Sequence, residues 1–433
     1  MALKDTFCSS PWFHMMIDHD GSYRRCRWHM TNTLSKDRSK STARIQDTSP
    51  IEFFQNDMSV FRQDLLSGKQ MDECSQCYLQ DRNGKISGRQ RQLLKSGATL
   101  DQFEKSMVSS PMLSYFTESL EDNGHTNLLP LDWQVDLGNH CNSNCVMCGP
   151  EFSTSLATEW KELGLIKELP PKSWTADESL VDSFLEGLSD TGQNIYLHLL
   201  GGETLITPGF KTILRGMIDK KLHDRITIGF TTNLTVWRDD VVELLRQFNE
   251  VHLGMSVECL TPLNDYIRYP SQIDTVRENL DRWTQLADEQ GWLKQLRITP
   301  TCLSISHLDT VYDYAHERNI TVESCNFLEE PTFFRMDVLD GPLRQAAIDR
   351  LEKWIAGKET KATGTIVNTR DPGVVGEQIL QDARSYVHYL KHQPHSDGAR
   401  ELVSFLKLLE GNRKNSILDY LPEYEEFLRT AGY

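Results

Sequence analysis

Apolar positions in the middle of the chain follow two alternating patterns. Short apolar runs predict strands, and between them apolar residues recur every three or four positions, which predicts helices. In residues 152–164, for example, Leu156, Trp160 and Leu163 repeat at spacings of four and three. The predicted strands cover residues 131–138, 194–202, 226–233, 251–258, 296–304 and 320–328.

This alternation of strand and helix, over about 200 residues, predicts parallel βα units and an α/β fold. Six strands suit either an open doubly wound sheet or an incomplete barrel. Periodicity alone does not separate these two architectures.

The two ends of the chain differ from the middle. Residues 1–125 are polar, short in apolar runs and rich in cysteine, which predicts a separate small domain. Residues 336–433 are predicted to be helical, with a loop at 361–373. We therefore expect three parts, with boundaries at 1–125, 126–335 and 336–433.

Composition and charge narrow the class of protein. The 433 residues are 39% hydrophobic and 25% charged, as in ordinary soluble proteins. No apolar run reaches membrane-spanning length, and the N-terminus lacks a secretory pattern, so we expect a cytoplasmic protein with no membrane partner. The formal net charge of −16 disfavours a nucleic acid polymer as partner.

Three of the ten cysteines fall close together after the first predicted strand: Cys141, Cys145 and Cys148. Clustered thiols in a reducing compartment more often bind metal than form disulfides. Structural zinc takes four ligands, and His140 could supply the fourth here. A 4Fe–4S cluster has four irons, so three thiolates leave one iron open to a substrate or cofactor.

This Cys-x3-Cys-x2-Cys loop resembles that of radical S-adenosylmethionine (SAM) enzymes. The resemblance implies a partial (β/α)6 TIM barrel in which Cys141, Cys145 and Cys148 hold the catalytic 4Fe–4S cluster. In that family, SAM binds the fourth iron and is cleaved reductively to methionine and a 5′-deoxyadenosyl radical, which abstracts hydrogen from a substrate. An electron donor such as flavodoxin or ferredoxin is implied as a partner.

A glycine-rich turn follows the second predicted strand. Gly201, Gly202 and Glu203 resemble the family's Gly-Gly-Glu-Pro motif, although Thr204 replaces the proline. In relatives this motif binds the amino group of SAM. A carboxylate suits an ammonium group, and glycines let the backbone approach closely.

Polar residues also follow the third and fourth predicted strands, and an arginine lies further along the chain. Thr232 and Asn233 resemble the position that contacts the SAM ribose, and Ser256 resembles the start of a Ser-x-Asp-Gly motif. Glu258 and Cys259 depart from that motif at its last two positions, and Arg268 resembles an arginine near the SAM carboxylate in relatives. Because the carboxyl ends of parallel strands share one rim, we expect these residues to converge.

Four more cysteines lie in the N-terminal region, and four thiols complete a closed metal site. Cys8, Cys26, Cys74 and Cys77, with the stretch FCSSPWFH, resemble the twitch form of the SPASM auxiliary-cluster domain, which in most relatives follows the barrel. The resemblance implies a second, auxiliary 4Fe–4S cluster. Four thiolates also suit zinc.

Three functions remain open at this stage. Relatives with auxiliary clusters often modify peptides or proteins, and this is our leading hypothesis. The alternatives are radical modification of a small molecule or nucleotide, and a non-catalytic zinc-binding interaction protein. Cys259, Cys302 and Cys325 are predicted to be buried as small hydrophobes.

Overall fold

The computed structural model describes residues 6–26, 40–95, 118–119, 121–171, 173–324, 327–328, 330–358 and 372–433. The strands are β1 His14–Ile17, β2 Ser22–Arg24, β3 Lys40–Arg44, β4 Asp132–Asp136, β5 Ile195–Leu200, β6 Ile226–Thr232, β7 Val251–Ser256, β8 Leu293–Ile298 and β9 Thr321–Ser324. The described α-helices are α1 Pro50–Glu52, α2 Ser59–Leu66, α3 Ser75–Arg82, α4 Gly88–Lys95, α5 Thr154–Glu162, α6 Glu178–Asp190, α7 Pro208–Asp219, α8 Asp239–Leu245, α9 Leu263–Ile267, α10 Ile273–Gln290, α11 Leu308–Glu317, α12 Gly341–Ala356, α13 Pro372–His392, α14 Ala399–Arg413 and α15 Glu425–Thr430.

The strands form one nine-stranded sheet in the order β3-β2-β1-β4-β5-β6-β7-β8-β9. From β4 to β9 every neighbouring pair is parallel. The predicted α/β fold with a parallel sheet is therefore confirmed. The six parallel strands follow each other in chain order, without the reversal that a doubly wound sheet contains.

One strand lies earlier in the chain than predicted. β8 begins at Leu293 and ends at Ile298, whereas the apolar run suggested 296–304. The following residues turn instead, because the backbone N–H of Thr301 donates to the hydroxyl of Ser304. A short Thr/Ser turn of this kind competes with strand pairing.

The core lies between the parallel strands and their helices. In β5, Ile195, Leu197 and Leu199 are buried on the helix-facing side and alternate with Tyr196 and His198. Helix α6, whose Phe184 contacts Trp133 of β4, was absent from the sequence prediction, although its buried residues recur with helical spacing.

The N-terminal strands extend the same sheet. β1 pairs in parallel with β4, and β2 and β3 continue the sheet with antiparallel pairs. The sheet thus runs across the boundary predicted near residue 125. These strands were missed because they are only four, three and five residues long, too short for a periodic pattern.

Helix α4 contacts both ends of the parallel series. The guanidinium of Arg91 lies 2.5 Å from the Glu323 carboxylate on β9. The side chain of Gln92 donates to Asp132 on β4 at 3.4 Å. Because the two residues are adjacent on one short helix, β4 and β9 both lie within reach of α4.

The C-terminal helices complete the described fold. Helix α12 packs on α13, which also contacts β9. Most of the predicted loop at 361–373 lies outside the described residues. Cys325 also lies outside them. Cys259 and Cys302 are buried, as expected for small hydrophobes. Within the described chain, no helix has both the length and the apolar character needed to cross a membrane.

Candidate active site

The three-cysteine loop follows β4 and is fixed to two other parts of the fold. The backbone N–H of Thr154, at the start of α5, donates to the carbonyl of Asn139 at 2.7 Å. On the other side, the N–H of Val146 donates to the carbonyl of Ile267, at the end of α9, at 2.9 Å. The loop is thus held between the helices that follow β4 and β7.

The three thiols share one site. Burial is the main reason why the pKa of Cys141 rises to about 12, and the charge of Cys145 adds to this effect. Burial also raises the pKa of Cys148 well above its ordinary value, and Cys145 and Cys141 add to the effect. Because thiolates are the metal-binding form, a positively charged centre bound here would displace their protons.

The glycine turn after β5 touches the cysteine loop directly. Gly202 has a φ of +40°, and a Cβ added there would lie 2.2 Å from the carbonyl oxygen of His140. The N–H of Glu203 donates to the same oxygen at 2.9 Å. Only glycine combines this backbone conformation with such close contact. Gly201, with a φ of +130°, approaches Gly138 in the same way.

The carboxylate of Glu203 is held by backbone N–H groups. Its side chain is buried and accepts hydrogen bonds from the N–H groups of Asn233 at 2.5 Å and Leu205 at 3.2 Å. Burial raises the pKa of Glu203 to about 6, although these hydrogen bonds oppose the change. A buried carboxylate of this kind binds an ammonium group strongly.

Asn233 joins the end of β6 to the cysteine loop. Its side-chain nitrogen donates to the Asn142 Oδ1 at 3.0 Å and to the Ser143 hydroxyl at 2.9 Å. The neighbouring Thr232 hydroxyl accepts from the N–H of Leu234 at 3.2 Å. The amide of Asn233 therefore braces the loop, and its expected contact with a ribose stays a prediction.

The end of β7 brings an ion pair to the cysteines. Ser256 is the last residue of β7 and is half-buried. The buried Glu258, which replaces an aspartate of the family motif, lies 2.9 Å from the guanidinium of Arg268. Burial raises the pKa of Cys145, whereas the charge of Arg268 lowers it, so this cation lies beside the cysteine loop.

The four N-terminal cysteines also come together. Burial raises the pKa of Cys8, and the charges of Cys26, Cys74 and Cys77 each raise it further. The pKa of Cys77 rises to about 12, mainly because the thiol is buried. A hydrogen bond from the backbone of Arg89, at the start of α4, partly opposes this rise. These cysteines are spread over much of the N-terminal region in sequence, but their thiols lie close enough in the fold to influence one another's pKa.

Comparison with known proteins relates the central part of the chain to one family. Residues 135–287 match the family model described as the Radical SAM superfamily, and this segment contains the cysteine loop, the glycine turn and the ends of β5, β6 and β7. Within residues 135–287, the chain is therefore similar to the radical SAM superfamily.

Among curated proteins, the chain is 24% identical over 180 residues to the sporulation killing factor maturation protein SkfB of Bacillus subtilis (strain 168). That alignment covers 40% of this chain and 39% of SkfB, so the chain spans about two fifths of the relative it matches.

Two solved structures are similar at lower identity. Native anSMEcpe with bound AdoMet has a TM-score of 0.38 and 15% identity, over 52% of this chain and 61% of that one. Streptococcus suis SuiB bound to the precursor peptide SuiA has a TM-score of 0.35 and 16% identity, over 71% of this chain and 61% of that one.

The residues present fit a 4Fe–4S cluster and SAM. Three buried thiols lie on one loop, and the two glycines let the turn pack directly against that part of the backbone, where a Cβ would clash. Sequence reasoning missed Asn142 and Ser143, which bind Asn233. Their polar side chains within the loop were the available signal, but nothing in the sequence named their partner.

Proposed function

We propose that Cys141, Cys145 and Cys148 hold a 4Fe–4S cluster, and that Glu203 with its two preceding glycines binds the amino group of SAM. The observation that carries this proposal is the contact between the glycine turn and the cysteine loop, through the carbonyl of His140. When bound, the reduced cluster and SAM supply a 5′-deoxyadenosyl radical that abstracts hydrogen from the substrate.

The protein's own residues orient and enclose that chemistry. Asn233 fixes both Glu203 and the cysteine loop, because its backbone binds one and its side chain the other. The Arg268 guanidinium, paired with Glu258, supplies positive charge beside Cys145. We propose Thr232 and Ser256, at the ends of β6 and β7, and Arg268, directly after α9, as further SAM contacts.

We also propose that the parallel strands form a partial (β/α)6 barrel, from about residue 126 to 335. Their uninterrupted chain order supports this architecture. The contacts of α4 with both β4 and β9 also support a barrel, because a single short helix touches both of these strands. The remaining parts would be an N-terminal auxiliary domain and a helical C-terminal region.

The N-terminal thiols are proposed to hold a second, auxiliary 4Fe–4S cluster in a twitch-like unit. Their mutual effects on each other's pKa support one shared site. Zinc is the alternative occupant. In the described part of the chain, the cysteines form no set of three with ligand atoms within 4.8 Å of one another. A tetrahedral zinc ion with Zn–S bonds of about 2.3 Å needs closer thiolates, so the spacing favours a cluster.

We propose a peptide or protein as the substrate. The four-thiol site beside a radical SAM domain supports this, as does the match to SkfB, which is named as a maturation protein. A small molecule or nucleotide is the second candidate. An electron donor such as flavodoxin or ferredoxin and a reducing, cytoplasmic location follow from the same proposal.

Iron analysis of anaerobically purified protein tests the two-cluster assignment. Two 4Fe–4S clusters predict about eight irons and eight sulfides per chain. After one-electron reduction, addition of SAM should change the electron paramagnetic resonance spectrum of one cluster only. Stoichiometric zinc without iron would instead support a structural, non-catalytic protein.

A further inference from the structure

A group of three ionisable side chains lies outside both cysteine sites. Asp18 and His19 follow β1, and Asp136 is the last residue of the neighbouring strand β4. Ligand atoms of the three residues all lie within 4.8 Å of one another. The residues are 0%, 4% and 6% exposed, respectively, so the group is buried.

The imidazole of His19 is oriented by its neighbours. Its Nδ1 lies 3.1 Å from the Asp18 Oδ1, and the Asp18 Oδ2 lies 2.6 Å from the guanidinium of Arg24. A carboxylate on one ring nitrogen favours a proton there and leaves the other nitrogen as an acceptor or metal ligand. The Nε2 of His19 is buried and has no hydrogen-bond partner among the described residues.

The Asp136 carboxylate also has few partners of its own, which favours a bound cation. Asp136 accepts one long hydrogen bond, from the N–H of Gly138 at 3.3 Å, and no lysine or arginine of the described chain forms an ion pair with it. A buried carboxylate with so few hydrogen-bond partners is a suitable ligand for a cation.

We propose that His19 and Asp136 bind a divalent cation of the Mn²⁺, Fe²⁺ or Zn²⁺ class, with Asp18 holding the imidazole in place. One imidazole and carboxylate oxygens are ligands that these ions accept. The site lies at the rim, because the Asp136 Oδ1 is 2.9 Å from the position a Cβ would take at Gly201. It is distinct from both thiol sets and does not depend on the proposed function.

Titration of the anaerobic holoprotein with Mn²⁺, followed by electron paramagnetic resonance of the free ion, tests this site. Mn²⁺ is the probe because it prefers carboxylate and imidazole ligands to thiolates. We expect one bound Mn²⁺ per chain. Asp136→Asn and His19→Gln should abolish this binding, and Asp18→Asn should weaken it by about 10- to 100-fold.

A matched control is available on β7. His252 Nε2 lies 3.0 Å from the Glu250 carboxylate, but this pair belongs to no three-ligand group within the described residues. His252→Gln should leave Mn²⁺ binding unchanged. If the wild type binds no Mn²⁺, or if Asp136→Asn and His19→Gln bind it as tightly as the wild type, the proposal is wrong.

Folding of the variants is checked separately by circular dichroism. Should a variant fail to fold, thermal unfolding of the wild type decides the question. Saturating Mn²⁺ should raise its melting temperature, because an ion that binds only the folded state stabilises it. An unchanged melting temperature would overturn the proposal.

Discussion

The guanidinium of Arg413 and the carboxylate of Glu159 form a buried ion pair at 2.6 Å. Arg413 is the last residue of α14, and Glu159 lies on α5, directly after the cysteine loop. Arg413 also donates to the carbonyl of Asn144 at 2.8 Å, one residue before Cys145. The C-terminal region thus braces the loop that carries the thiols.

Removing one partner of this pair should destabilise the protein. Arg413→Met leaves the Glu159 carboxylate buried without its cation, which typically costs about 3–5 kcal/mol. The change is measured as the free energy of unfolding in denaturant. We expect the iron bound by the three-cysteine site to fall as well, because the loop loses a support.

The exposed pair of Arg429 and Glu426 is the control, since its N–O distance is also 2.6 Å. Arg429→Gln should cause no measurable change, because water solvates both groups. Equal destabilisation by the two variants would contradict a special role for the buried pair.

Gly202→Ala should disrupt the contact between the glycine turn and the cysteine loop. The new Cβ would meet the His140 carbonyl oxygen at 2.2 Å, so the turn must move. Gly192→Ala is the matched control, because Gly192 has a φ of +61° with nothing within 4 Å of an added Cβ. Both changes carry backbone strain of roughly 1–2 kcal/mol. Only Gly202→Ala should also weaken SAM binding; equal SAM affinity in the two variants would argue against the contact.

Glu203→Gln should weaken SAM binding while the clusters remain. Loss of a hydrogen bond to a charged group costs about 1.5–3 kcal/mol, which corresponds to about 10- to 100-fold in affinity. Equilibrium dialysis of the reconstituted protein measures this change, and Glu243→Gln, on the exposed face of α8, should have no effect. Unchanged affinity in Glu203→Gln would exclude the carboxylate as the amino-group ligand.

The two thiol sets should lose iron independently. Cys145→Ala should remove about four of about eight irons and abolish SAM cleavage. Cys74→Ala should remove the other four and leave the SAM-induced spectral change of the first cluster intact. If either single variant empties both sites, the assignment of ligands to two separate clusters is wrong.

The sequence predicted those parts of the molecule that depend on local pattern. Buried parallel strands such as β6 appear as apolar runs, and the cysteine spacing places three thiols on one loop. The ion pair of Arg413 and Glu159 joins positions 254 residues apart and has no local pattern. The group of Asp18, His19 and Asp136 forms only because β1 pairs with β4, which the short strand β1 did not reveal.

The most direct test is the product formed from SAM. Anaerobic, reconstituted protein is incubated with SAM and dithionite, and 5′-deoxyadenosine is measured by chromatography. We predict that the wild type forms 5′-deoxyadenosine and methionine in equal amounts and that Cys145→Ala forms neither. Absence of 5′-deoxyadenosine from wild-type protein that contains its iron, or equal formation by Cys145→Ala, would contradict a radical SAM reaction at this site.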